Sequence, residues 1–82
     1  MQFLFKGQEP AERVGVLLDL ANLKSDDIKR AIHDHLVLGV SLSNASDAYE
    51  VHNGNVTRAL KALNQVAAMV ERIKEIDYAH LI

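Results

Sequence analysis

Between Ser41 and Leu63 the chain reads SLSNASDAYEVHNGNVTRALKAL, and the spacing of its small and apolar residues admits few local structures. Ala45, Ser46, Tyr49, Val51, Val56 and Ala59 fall where two short helices crossing at a steep angle must touch, the pattern of a helix-turn-helix. The closest approach needs a small residue, which Ser46 supplies. The turn and the next helix need apolar residues to close the angle, which Val51 and Val56 supply. The turn position held by Glu50 is usually glycine, because the backbone there takes φ > 0, so Glu50 is expected to occupy it at a cost.

The other side of this segment is polar. His52, Asn53, Asn55, Thr57, Arg58 and Lys61 cluster on the outer face of the second helix, the helix that meets DNA in such a motif. Asn suits adenine and Arg suits guanine, while Lys61 suits phosphate and Arg58 either base or phosphate. Ser41 and Ser43, at the head of the first helix, complete the expected DNA-contacting set. The chain as a whole carries 9 Lys and Arg against 11 Asp and Glu, a formal charge of −2, whereas phosphate neutralisation favours an excess of cations. Residues 51–70, however, hold Arg58 and Lys61 and no acid. The patch is locally basic on an acidic body, so modest affinity per subunit is expected. The plain alternative is that 41–63 is a corner of a helical bundle and that Thr57, Arg58 and Lys61 form a solvated face; the absence of acids tilts the reading toward DNA.

The rest of the chain reads as a single all-α domain over residues 1–82, with four helices and a long C-terminal one. Apolar residues make up 49% and aromatics only 5%, so the core is aliphatic and its helices pack closely. The opening MQFLFK suits a short strand, an extended arm or an apolar anchor packed on the body. Residues 10–22 follow as a helix, with Pro10 and Glu12 suited to its first turn and Val14, Leu17, Leu18 and Ala21 on one face. Gly15 within it hints at close approach by a neighbour. Ser25 caps a helix over about 26–38, which Gly39 stops. Ser41 caps a short helix near 42–49, and Asn53 can cap the last helix from about Gly54. In that helix Val56, Leu60, Leu63, Ala67 and Val70 step by four and three, with Ile73 continuing, a seam suited to a partner helix. A contact between subunits is expected from MQFLF or the Val14–Leu18 face.

Other classes of function find little support. There are no cysteines, and MQFLFKGQEP is too short in its apolar part for a signal peptide. No run approaches a membrane span. His33 and His35 point away from each other on their helix, and His52 and His80 lie far apart, so no metal site and no cofactor are expected. No phosphate loop, nucleophile elbow or zinc motif suggests catalysis or a small-molecule substrate. A cytoplasmic location is expected.

The runs KRAIHDHLVLGVS and DAYEVHNGNVTRALKALNQVAAMVERI resemble the PapB-type regulators of fimbrial adhesin biosynthesis in enteric bacteria. The likeness rests on Asp34, His35, Leu36, Val37, Gly39, Ser41, Asn53, Gly54, Leu60, Leu63 and the stretch 66–70, within a layout shared over about residues 14–80. It implies a nucleoid-associated transcription regulator that binds AT-rich double-stranded DNA, through the minor groove, as a homo-oligomer along it. After the capping Ser the family usually has Arg-Lys, which contributes to DNA binding; this chain has Leu42 and Ser43. The family's Cys one turn on is replaced by Ser46, which keeps the small volume. Without the two cations, a different target or weaker binding is expected. Two other readings compete: a helical protein–protein interaction module docking through the 56–73 seam, and a dimeric plasmid-type helix-turn-helix repressor on a palindromic operator.

Overall fold

The computed structural model describes residues 2–81 and contains, among them, four α-helices and one π-helical segment, with no strand. The helices are α1 (Ala11–Ala21), α2 (Asp26–His33), α3 (Leu42–Ala48) and α4 (Asn53–Leu81); the π-helical segment, Asp34–Leu38, continues directly from α2. Pro10 stands just outside α1 in extended backbone, one residue later than the sequence reading placed the start. Asn22 ends α1 in the left-handed region at φ 55°, a conformation that its short polar side chain tolerates. Ser25 caps α2, its Oγ accepting from the Ile28 N–H at 3.2 Å.

The expected 26–38 helix is thus two helices in register of different pitch. In the π segment the N–H groups of Gly39 and Val40 both turn back to the Asp34 carbonyl. The carbonyls of His35 and Leu36, which an α-helix would have matched to those donors, are left over. The N-terminal arm takes them: Gly7 N–H donates to His35 O and Glu9 N–H to Leu36 O, each at 3.1 Å. Buried backbone acceptors rarely go unmatched, so the widened turn and the arm need one another. Gly7 and Gly39 both have positive φ, and a Cβ on Gly7 would lie 3.1 Å from the Gly39 Cα, so glycine at this crossing lets the two backbones meet.

Met1 lies outside the described residues; over residues 2–6 the opening is an extended arm, not a strand, because its partners are the π segment and a side chain, and it is anchored by the apolar Leu4. Phe3 N–H donates to Asn64 Oδ1 at 2.7 Å, and Leu4 is buried in the core. Gly15 corrects an expectation, since a Cβ there would meet nothing within 4 Å and no element approaches it.

The core gathers Leu4, Val14, Leu17, Ile32, Leu36, Val56 and Leu63, with Ala31, Ala45, Ala59 and Ala67 allowing close helix contact. At about 1.5 Å per residue the 29 residues of α4 span roughly 43 Å, most of the 48 Å long axis of the molecule. The 4-3-4-3 seam anticipated for a partner helix faces this core instead: Val56, Leu63 and Ala67 are buried by α1, α2 and α3. Ile73 does not continue it and stands 57% exposed.

Candidate nucleic-acid interface

Residues 41–63 fold as the spacing requires. Ser41 caps α3, its Oγ accepting from the Asn44 N–H at 3.1 Å. Ser46 and Ala45 are buried where α3 meets α4, and the Ser46 hydroxyl donates to Leu42 O at 2.7 Å, satisfying itself within its own helix. The turn then closes α3 by two bonds, Val51 N–H to Ser46 O at 3.0 Å and Glu50 N–H to Asp47 O at 3.2 Å. These are the paired bonds of a Schellman ending, whose pivot residue must be left-handed. Glu50 is that residue, at φ 55°, and the strain of a non-glycine there is about 1–2 kcal/mol.

A second tie holds the turn to the body. Tyr49 Oη donates to Asp34 Oδ2 at 2.6 Å, fastening the end of α3 to the start of the π segment. Accepting that bond holds the Asp34 carboxyl below its ordinary range; burial opposes this, and the hydrogen bond and charge of His33 add to it. Donating it, together with burial, pushes the Tyr49 phenol up.

The head of α4 departs from expectation. Helical residues begin at Asn53, and the cap is His52, not Asn53: the His52 carbonyl accepts from Val56 N–H at 3.2 Å, and its Nδ1 accepts from Gly54 N–H at 3.1 Å. Spacing alone favoured Asn because Asn is a commoner cap; the imidazole takes the role because Gly54 leaves it room. A Cβ on Gly54 would lie 3.0 Å from two ring atoms of His52. Asn53, one place further in, has its Oδ1 3.5 Å from the Ser46 hydroxyl.

His52, Asn53, Asn55, Thr57, Arg58 and Lys61 are all exposed along the first turns of α4. Thr57 Oγ1 donates to Asn53 O at 2.9 Å, and the Arg58 guanidinium donates to Asn55 Oδ1. Ser43 is exposed at the head of α3, whereas Ser41 is half-buried with its hydroxyl engaged in the cap. Of the four arginines, Arg13, Arg30 and Arg72 each bridge a carboxylate, at 2.8, 3.2 and 3.5 Å. Among the described residues Arg58 and Lys61 have no such partner. The N-terminal arm borders this face, with Gln2 and Leu4 forming a shallow groove against Thr57, Leu60, Lys61 and Asn64.

Sequence reasoning missed the capping role of His52 and the Asp34–Tyr49 tie. The Gly54 beside His52 is the signal that could have found the first; the second joins residues 15 apart and left no local sign. Among the described residues no group of His, Asp and Glu could hold a metal ion, and no helix is long and apolar enough to cross a membrane.

Residues 1–77 match the family PapB, described as adhesin biosynthesis transcription regulatory protein. Among solved structures, the crystal structure of E. coli FocB is similar, with a TM-score of 0.82 and 26% sequence identity over 89% of this chain and 83% of that one. No curated protein matches.

Proposed function

The chain belongs to the PapB family of adhesin biosynthesis transcription regulators, and from that premise we propose that it binds AT-rich double-stranded DNA of a fimbrial or adhesin operon through the outward face of α4 and the head of α3. The observation that carries the reading is the acid-free start of α4, where Arg58 and Lys61 bridge no carboxylate and stand in the first turns of the helix. Cations held against acids contribute little to phosphate binding, because the counterion they would displace is already internal; unshielded ones contribute fully. In this reading Lys61 and Ser43 meet phosphate, Arg58 and Asn55 meet base or backbone together, and Thr57 and Asn53 line the approach. His52 serves first as the cap that aims the helix and meets DNA from that position. Ser41 acts through the start of α3, since its hydroxyl already caps. A cytoplasmic, nucleoid-associated protein acting as a homo-oligomer completes the proposal.

Arg58→Ala tests it. Binding to an AT-rich operator fragment should weaken about tenfold, the worth of one good base or phosphate contact, while the melting temperature stays put because Arg58 is exposed. Unchanged retardation in a mobility-shift assay would sink the assignment. A salt series on AT-rich and mixed duplexes separates the phosphate share from the sequence preference. Footprint length separates an oligomer spread along DNA from a discrete dimer on a palindrome, the alternative regulator of this shape.

A further inference from the structure

The second half of α4 carries an apolar stripe that the core covers only at its start, at Val66, and leaves open to water beyond. Val66, Met69, Ile73 and Ile76 recur by three, four and three, apart from the buried line of Val56, Leu63 and Ala67. Met69 is 59%, Ile73 57% and Ile76 44% exposed. Val70 joins this stripe to an apolar groove between α1 and α4, where Val16 and Leu20 are also more than half exposed. Together these side chains leave on the order of 500 Å² of largely apolar surface to water, the upper end of what a monomer exposes. Two second halves of α4 packed along this stripe over about 30 Å of helix, with the side chains that flank it, bury on the order of 1,000 Å², the threshold for a specific interface.

We propose that this stripe is the seam of a two-fold dimer, in which the second halves of two α4 helices pack antiparallel across Met69 and Ile73. A surface that meets its own copy must be complementary to itself. The antiparallel register centred near residue 71 achieves this, setting Val66 against Ile76 of the second copy and Met69 against Ile73, so that every member of the stripe has a partner.

The direction of pairing follows from where the other faces of α4 lie. At about 100° per residue, the stripe is centred about 100° round the helix from the line of Thr57, Arg58 and Lys61, and about 110° the other way from the buried line. A two-fold axis perpendicular to α4 therefore turns both Arg58–Lys61 faces to the same side of the dimer and both cores to the other. A parallel pair, with its axis along α4, would turn those faces to opposite sides, where one duplex could not reach both. In the antiparallel dimer the two faces sit about 35 Å apart along the helices at 1.5 Å per residue, within the roughly 34–36 Å of one DNA turn. Arg72 lies on the same side as Lys61 and falls near the two-fold axis between them, its charge shared with Glu75 at 3.5 Å. The choice of direction rests on the DNA-binding reading above; the seam itself rests on the exposed stripe.

Sedimentation of the full chain without DNA tests the seam. The wild-type chain is expected to sediment as a dimer or a multiple of it, and Ile73→Lys as a monomer with an unchanged circular dichroism spectrum, since Ile73 contributes nothing to the core. A wild-type monomer at high concentration, or an Ile73→Lys chain of wild-type mass, overturns the proposal. Because the chain has no cysteine, Met69→Cys and Ile73→Cys report direction cleanly. Mixed together they should cross-link faster than either variant alone; faster linking of Ile73→Cys to itself overturns the antiparallel arrangement. Binding of the Ile73→Lys monomer to a duplex too short for two heads tests the DNA reading by itself: retained binding upholds it while the dimer is lost, so the two ideas fail separately.

Discussion

The two halves of α4 are one uninterrupted helix with opposite tasks. From Asn53 to Ala67 its apolar line is buried under three other helices, and its polar line holds cations without acid neighbours. From Ala68 to Leu81 no residue is fully buried, Met69, Ile73, Ile76 and Leu81 stand exposed, and Arg72 and Lys74 pair with Glu75 and Glu71 along the helix. The first half is positioned by its core and free to act on its surface; the second pairs its Arg and Lys with acids and leaves its apolar surface free. The contrast teaches that hydrophobic periodicity does not say what a stripe will pack against. Both halves carry three-and-four spacing, but only one set of residues finds a partner inside the chain.

Removing a buried contact from each half should break the comparison most sharply. Leu63→Ala empties a fully buried site and is expected to cost about 3 kcal/mol in denaturant unfolding, in the range for buried Leu→Ala. Ile73→Ala should cost well under about 1 kcal/mol at concentrations where the chain is monomeric, as for other surface sites. Equal costs would mean that the second half is buried in the folded monomer.

The head of the first half offers a smaller effect. His52→Ala removes the ring that accepts from Gly54 N–H and should lower stability by about 1 kcal/mol, the ordinary worth of a helix cap. Asn at this position should recover most of the loss. A full loss with Asn would show that the ring acts by something other than capping.

The smallest effect is read as pH dependence. The folded Asp34 carboxyl titrates below the ordinary 3.8, so its tie to Tyr49 stabilises the fold above that value, and the stability is lost as pH falls through the lowered one. The Tyr49 phenol titrates above the ordinary 10.0, so on the alkaline side the stability is present below that value and lost as pH rises through the raised one. Tyr49→Phe should therefore lower the melting temperature near neutrality and flatten its fall at both extremes. A variant with the wild-type profile at acid and alkaline pH would remove this tie from the account of how the turn is held.

Much of this could be read before any coordinates. The capping serines 25 and 41, the stop at Gly39, the small residue at Ser46 and the strained place of Glu50 each followed from local chemistry, because each is decided within five residues of backbone. The polar face of α4 was legible for the same reason: exposure there follows from the opposite face being apolar. The π segment was not, since widening a turn is worthwhile only when an arm some 30 residues earlier in the chain takes up the freed carbonyls. Nor was the tie between Asp34 and Tyr49, nor the burial of Leu4, since each depends on which elements lie side by side.

For this protein the sequence alone determined four helices, the place of the helix-turn-helix, and a family whose members regulate adhesin genes. Those rest on short-range rules of capping, turning and periodicity that act within a few residues. Only the tertiary structure decided which side of the long helix would be core and which apolar stripe would face water. Those are matters of what packs against what, and packing is settled by partners far away in the chain.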